Sequence, residues 1–488
     1  MSLRGLVRDQ VFLLPPRIDD WLPDDHAARF VAMFVDNLRP EEWMQLGVKP
    51  NGEPLGAPAY HPRLLLGVWL YGFLAGERRA RRLEVACREQ IPFLWLAGMQ
   101  QPDHNTLWRF YQQYAEKVRE LFRCTIRTAV QMGLLDLAVQ AVDGTKVAGN
   151  AAKDRTYNAE QLRQLLERVE QAIAELERQN REDAVSAPPR LPQELADAEV
   201  LRERLMAALG QVMAAGGPER VNLTDPDATL MKGRQGFVAG FNAQAMVSPL
   251  AEGKAGRTGF LITAADVVMD PEDHAQLVPM IDAARELSGE EATFTLADAG
   301  YHSGPNLTAC GEQDHLVLMP ESSPDEVLNA PYHKDRFLYN AEEDTYTCPE
   351  GQTLRYAATK RPKGGPVRVY RAGVVCRGCP AFGSCTTNKQ QGRSVQIGPD
   401  DALLRQQREL MRTAAAKERY RQRKILAEPV FGILKEQYGM RRFWVRGLRK
   451  VQAAWTMTAA AFNLRTLYEI WRLRPPDEPW RFAVIGQS

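Results

Sequence analysis

Apolar positions change their rhythm three times along the chain. Up to about residue 135 they recur at helical spacing: AARFVAMFVDNL, with Asp24 or Asp25 as its cap, and the strongly apolar HPRLLLGVWLYGFLAG predict two helices. ARRLEVACREQ, a short IPFLWLAG piece and PDHNTLWRFYQQYAEKVRELF follow closely, and Asp103 offers an oxygen to the free amides that open the last of these. LAVQAVDG then reads as a strand ending at Asp143. Two charged amphipathic stretches over 158–215 follow it, with Leu162, Leu165, Leu166, Val169, Ile173 and Leu176 at helical intervals, which predicts a helical hairpin or short coiled coil. GFVAGFNAQAMVS and GFLITAADVVM predict two antiparallel strands, followed by a helix near 274–287, the strand ATFTLADAG, a short helix in SGPNLTACGEQ and the strand HLVLMP. Beyond these come a loop-rich stretch and one long helix from about 401 through 437.

These elements divide the chain into a helical N-terminal domain (1–135), the start of a sheet core (136–157), a helical hairpin insertion (158–220), the rest of the core (221–329), a loop-rich four-cysteine insertion (330–400), a long helix with C-terminal helices (401–470) and a tail (471–488). A three-strand meander, a helix and then alternating strands and helices is the order of an RNase H-like fold. The fold class expected is therefore α/β, with a mixed-sheet core, an all-α N-terminal domain and two insertions. Exposed Arg79, Arg81, Arg82 and Arg109 among short helices suit a helix-turn-helix DNA reader; a dimerisation or packing bundle is the other reading.

At 488 residues the chain exceeds a single compact core. No apolar run reaches membrane-spanning length, and WTMTAAAFNLRTLYEIW, the nearest candidate, is interrupted by Arg465. The N-terminus lacks a signal-peptide core, and seven cysteines, an odd number, suit reduced thiols. A cytoplasmic protein without a membrane partner is expected. The net charge of +1 does not announce nucleic acid, but residues 404–450 hold 14 Lys or Arg against 4 Glu. This local excess points to phosphate.

Candidate chemistry rests on three carboxylates: Asp143 and Asp298, each closing an apolar strand, and Glu428 inside the basic helix beside Pro429. Singly, each reads as a turn, cap or ion-pair carboxylate. Converging in this order of elements, they suit Mg²⁺, which prefers oxygen ligands and completes its shell with water and substrate phosphate. Lys424 and Lys435 share a helix face with Glu428, where they would meet a DNA backbone.

At these residues the chain resembles the DDE transposases of bacterial insertion sequences, in the branch marked by DGTK (143–146), TDPDATLMK (224–232), FNAQ (241–244), ADAGY (297–301) and EPVFG (428–432). YHPRLLLGVWLYGFLAG and the helices after it are similar to that family's N-terminal domain. The resemblance implies a catalytic and metal-holding triad of Asp143, Asp298 and Glu428, with Mg²⁺ or Mn²⁺. It further implies cleavage at element ends and strand transfer, with terminal-repeat and target double-stranded DNA as partners, a homodimer, and a nucleoid-associated location. The family's Tyr-Arg-Glu-Lys signature is matched in part: Lys435 has the spacing, Lys424 stands where the arginine belongs, and Tyr420 is displaced by one residue. A catalytically idle DNA-binding regulator and an RNase H-like nuclease without strand transfer are the alternatives.

Cys348, Cys376, Cys379 and Cys385 contain one tight CxxC pair and are candidate ligands of a structural Zn²⁺, with plain reduced thiols as the other reading. Lys146, Lys424, Lys435, Arg441, Arg442 and Arg446 are the candidate DNA contacts. RRFWVRGLRK (441–450) interleaves bases with Phe443 and Trp444, which suits a nucleic-acid strand or a helix-packing segment equally. Asn242 and Gln244 share a strand face near Asp143, to orient DNA or a metal-bound water, or simply as half-solvated polar residues. Asp225 and Asp227 read as a turn, and His302 as a loop histidine.

Overall fold

The computed structural model describes residues 17–45, 60–114, 117–183, 193–233, 236–253, 259–323, 325–362, 365–475 and 477–484. The chain opens with helices α1 (Ala27–Asp36), α2 (Pro40–Gln45), α3 (Pro62–Leu74), α4 (Ala80–Glu89), α5 (Ile91–Leu96), α6 (His104–Tyr114) and α7 (Val118–Gln131). His26, rather than Asp24 or Asp25, caps α1: its Nδ1 accepts from the Ala28 amide at 3.1 Å. Asp103 caps α6 through the Thr106 amide at 2.7 Å.

Strand β1 (Val139–Ala148) follows and extends five residues past Asp143, which therefore lies mid-strand rather than at its end. The short β2 (Thr156–Tyr157) and β3 (Val221–Asn222) pair at the base of a hairpin made by α8 (Ala159–Asp183) and α9 (Gln193–Met213). Leu162 and Leu205 are buried between them, so the helical period in this segment does bury one stripe.

The sheet is completed by β4 (Thr229–Gly233), β5 (Gly236–Pro249) and β6 (Phe260–Val268), then α10 (Leu277–Ser288), β7 (Phe294–Leu296), α11 (Gly304–Glu312) and β8 (Leu316–Leu318). β5 pairs antiparallel with β1 along one edge and with β6 and β4 along the other, while β7 and β8 add in parallel beyond β1. Read across the sheet, the order is third strand of the meander, second, first, then the two parallel strands. This is the RNase H-like arrangement. Parallel additions need a crossover, and α10 and α11 supply it.

After α12 (Asp325–Leu328), the insertion expected to be loop-rich contains a five-stranded antiparallel sheet: β9 (Leu338–Asn340), β10 (Thr345–Thr347), β11 (Thr353–Lys360), β12 (Val367–Arg371) and β13 (Ser394–Ile397). Phe337, Leu354, Tyr370 and Val395 form its small core. The single long helix expected beyond it is two, α13 (Asp401–Arg412) and α14 (Ala414–Glu436), because Thr413 leaves helical geometry and its hydroxyl caps α14 at the Ala416 amide, 3.2 Å away. α14 runs on through Pro429.

The last helix, α15 (Leu448–Leu473), is the apolar stretch nearest to membrane-like composition. Among the described residues no helix is long and apolar enough to cross a membrane. α15 packs instead against α7, α3 and β6, with Trp455, Ala459, Phe462 and Leu467 buried. Its Asn463 side chain accepts from the Ile262 amide at 2.9 Å and donates to the Ile262 carbonyl at 2.8 Å. Those are the free backbone groups on the outer edge of β6, which would otherwise be buried without partners. One hydrophobic core thus runs from Phe30 and Trp69 through Phe241 to Trp455 and Phe482, uniting the N-terminal helices with the sheet.

Candidate active site

Alternation along β1 places Asp143 and Thr145 on one face of the sheet and Gly144 and Lys146 on the other. α14 lies across the first face. Its Arg423 sends one guanidinium nitrogen, Nη2, to Asp143 Oδ1 at 3.0 Å and to Asp298 Oδ2 at 3.5 Å. Asp298 follows β7 and caps a 3-10 turn by accepting the Gly300 amide at 2.8 Å, which fixes one carboxylate oxygen. Asp143 is similarly held by the Gly144 amide at 2.9 Å.

Burial pushes the Asp143 carboxyl up to about 6; Arg423 pulls against this, while the negative charges of Asp298 and Asp273 add to it. Two carboxylates with a cation between them form a site where positive charge is needed and fits. The donors are oxygens, as Mg²⁺ or Mn²⁺ requires. Tyr420, one turn before Arg423, feels the charges of Arg423, Asp298 and Asp143, and burial raises its phenol. Of the displaced tyrosine and the arginine one position from the expected slot, the arginine contacts both aspartates and the tyrosine lies near enough to feel their charge. Lys424, which stands in that slot, is exposed.

Glu428 is exposed on α14, about 140° around the helix from Arg423. Among the described residues no hydrogen bond or ion pair joins it to either aspartate, and no group of three or more His, Cys, Asp or Glu, the four clustered cysteines included, is arranged to hold a metal ion. Lys435, seven residues on and only about 20° away in angle, bonds to the Thr145 hydroxyl, two residues along β1 from Asp143. Lys435 thus reaches the strand of Asp143, whereas Glu428 stays exposed.

The other expected DNA contacts divide. Lys146 is engaged by Asp273 at 3.2 Å on the opposite sheet face, so its ammonium is not free for phosphate. Arg441 pairs with Glu436, and Arg446 donates to the Asn150 carbonyl at 3.0 Å. Arg442 lines two adjoining cavities: one of about 1280 Å³ with Arg78, Arg79, Arg81 and Arg82, the other of about 590 Å³ with Lys153, Arg155 and Arg446. Phe443 is buried against Phe241 and Trp455, which makes it a packing residue. Asp225 and Asp227 accept the amides of Gly447 (3.2 Å) and Leu448 (2.8 Å) at the start of α15, a capping role that their turn-like sequence concealed. His302 is half-buried, and burial lowers its imidazole.

Cys348, Cys376, Cys379 and Cys385 line one cavity beneath the five-stranded sheet, and none is in a disulfide. Two of the sulfurs accept backbone amides, Gln352 to Cys348 at 3.2 Å and Arg393 to Cys376 at 3.3 Å. Cys87, Cys124 and Cys310 are buried singly.

Two family matches bear on this geometry. Residues 347–468 match the transposase DDE domain, a span that includes Arg423 and Glu428, and residues 16–113 match the transposase domain DUF772. No curated protein matches the chain. A transposase domain matched towards each end, with the RNase H-like sheet between the two, supports an insertion-sequence DDE transposase.

Proposed function

We propose that this transposase cuts the DNA strands at the ends of its element and joins the freed 3′ hydroxyls to target DNA, with Asp143, Asp298 and Glu428 as the acidic triad. The observation that carries the reading is the convergence of Asp143, from β1, and Asp298, from the turn after β7, on one cationic group. Mg²⁺ or Mn²⁺ bound there supplies Lewis-acid activation and charge neutralisation for phosphoryl transfer. The two aspartates would hold it, with Glu428 completing the shell from α14. Lys435, tied to β1 beside the site, and the arginines of the adjoining cavities hold the DNA backbone. Two element ends handled together call for two copies of the chain. The four-cysteine cavity is proposed as a structural zinc site, since four sulfurs line it and two of them already accept backbone amides.

The test is incubation of the protein with the DNA flanking its gene and Mg²⁺, scoring nicked and joined products. Asp143→Asn, Asp298→Asn and Glu428→Gln are expected to abolish nicking while DNA binding persists. A triad variant that cuts as well as the parent overturns the assignment. Nicks without joined products would make the protein a nuclease, and binding without nicks a regulator.

A further inference from the structure

On the sheet face turned away from α14, a polar cluster gathers residues from three of the sequence motifs, none of which the triad uses. Lys146 and Gly144 on β1 are in register with Asn242 and Gln244 on β5, so the four positions share that face. Asn242 and Gln244 are fully buried. All three long side chains converge on Asp273, in the loop before α10: its Oδ1 accepts from Asn242 Nδ2 at 2.7 Å, Gln244 Nε2 at 2.8 Å and Lys146 Nζ at 3.2 Å. Gln244 donates also to Asn242 Oδ1 at 3.0 Å and accepts from the buried Tyr301 hydroxyl. Tyr301 closes the turn that Asp298 caps. Asn306 binds the same two loops together, donating to the Tyr301 carbonyl at 2.7 Å and to the His274 carbonyl at 2.6 Å.

The cluster lies against the backbone of both aspartates. A Cβ on Gly144, next to Asp143, would stand 2.4 Å from Gln244 Nε2 and 2.6 Å from Asp273 Oδ1. A Cβ on Gly300 would stand 3.0 Å from Asp298 Oδ1 and 3.6 Å from Asp273 Oδ2. Apolar packing would also hold β1 to its neighbours, but it is non-directional and tolerates small slides. A satisfied buried hydrogen-bond network fixes distance and angle. Lys146 balances the charge of Asp273, so the cluster is built beside two further carboxylates without adding net charge.

We propose that Asp273 is a positioning residue for the reacting centre: gathered by Lys146, Asn242 and Gln244, it holds the strand of Asp143 and the turn of Asp298 at the spacing at which the two can share a divalent cation. This rests on the reading of Asp143 and Asp298 as the metal-holding pair. The experiment measures Mn²⁺ binding to the full chain without DNA, from the electron paramagnetic resonance signal of free Mn²⁺, together with urea midpoints. Asp143→Asn is expected to remove the binding, Asp273→Asn to weaken it about tenfold or more, and Tyr301→Phe, which alters no charge, to weaken it by a smaller factor. If Asp143→Asn loses the ion while Asp273→Asn and Tyr301→Phe bind it like the parent, Asp273 has no positioning role and the metal reading survives. A lowered urea midpoint with unchanged Mn²⁺ affinity also overturns the proposal, since that is what a purely structural residue gives. Should Asp273→Asn not fold, Tyr301→Phe decides alone. Parent-like binding by Asp143→Asn removes the metal reading itself and this inference with it.

Discussion

Arg423 forms an ion pair with Asp143 at 3.0 Å from a helix that reaches the sheet late in the sequence, and the same nitrogen stands 3.5 Å from Asp298. Without a bound cation, this guanidinium offsets the repulsion between two carboxylates. Arg423→Gln is therefore expected to lower the unfolding free energy at pH 7.5 by about 1–3 kcal/mol, the cost of leaving charged partners without their counter-ion. At pH 5 the loss should be smaller, because Asp143 then carries its proton already. Urea unfolding at the two pH values checks this; equal losses would mean that the arginine stabilises by packing alone.

Asp143 itself should give stability an unusual slope. Its carboxyl titrates near 6 in the folded chain, against 3.8 for an ordinary aspartate. Between those values the folded state holds a proton that the unfolded state has released, so this group's contribution to the unfolding free energy falls as pH rises from about 4 to about 6 and levels off above. Urea midpoints across that window should fall less steeply in metal-free Asp143→Asn than in the parent. Parallel curves would refute the perturbed carboxyl.

Arg408 illustrates a second fate for the basic residues of 404–450. Almost fully buried, it makes two 2.7 Å bonds to Asp335 and one of 2.7 Å to Glu321, tying α13 to the loops that lead into the four-cysteine insertion. Arg408→Ala strands Asp335 and should cost about 3–5 kcal/mol. The readout is the chemical denaturation midpoint; a change under about 1 kcal/mol would contradict the buried network.

Two glycines in sequence motifs should respond in opposite directions. Gly144→Ala drives a methyl into Gln244 and Asp273 and is expected to destabilise by about 1–3 kcal/mol. Gly432, within α14, has no atom within 4 Å of an added Cβ, and Gly432→Ala should stabilise by about 0.5–1 kcal/mol. Thermal unfolding of both variants checks the contrast, and stabilisation by Gly144→Ala would be fatal to the close approach described here.

Metal analysis of the purified chain is expected to find about one zinc per protein, lost on Cys376→Ser or Cys379→Ser substitution, with reduced protease resistance of the 330–400 segment. Full retention of zinc in both variants would dismiss the cysteine site.

The meander and its parallel additions were legible because strands and crossover helices carry distinct periods, and Asp143 and Asp298 stood out at the ends of apolar runs. Arg423 was hidden by its own abundance: in RYRQRK each base looks like its neighbours, and only packing selects the one that turns inward. Asp273 was masked in the same way by Asp270 and Glu272, since no local signal tells a solvated loop acid from one gathered by three donors. The five-stranded sheet of the insertion escaped notice because its short strands, such as Leu338–Asn340, are exposed on both faces and bury no alternating stripe. Thr413 broke a helix that good helix formers on both sides disguised.

The path of α15 also governs the order in which the protein can be completed on the ribosome. Phe30 in α1 is covered by Tyr468, Trp471, Trp480 and Phe482, so the first helices wait for the last ones. About 440 residues separate the two groups, which at about 5–20 residues per second is roughly 20–90 s of synthesis. Throughout that interval the nascent chain presents the apolar surface of α1 to its surroundings. A transcript cut short before α15 would therefore yield a chain whose N-terminal helices never find their cover, a sticky product destined for chaperones and proteases rather than a free-standing DNA-binding fragment.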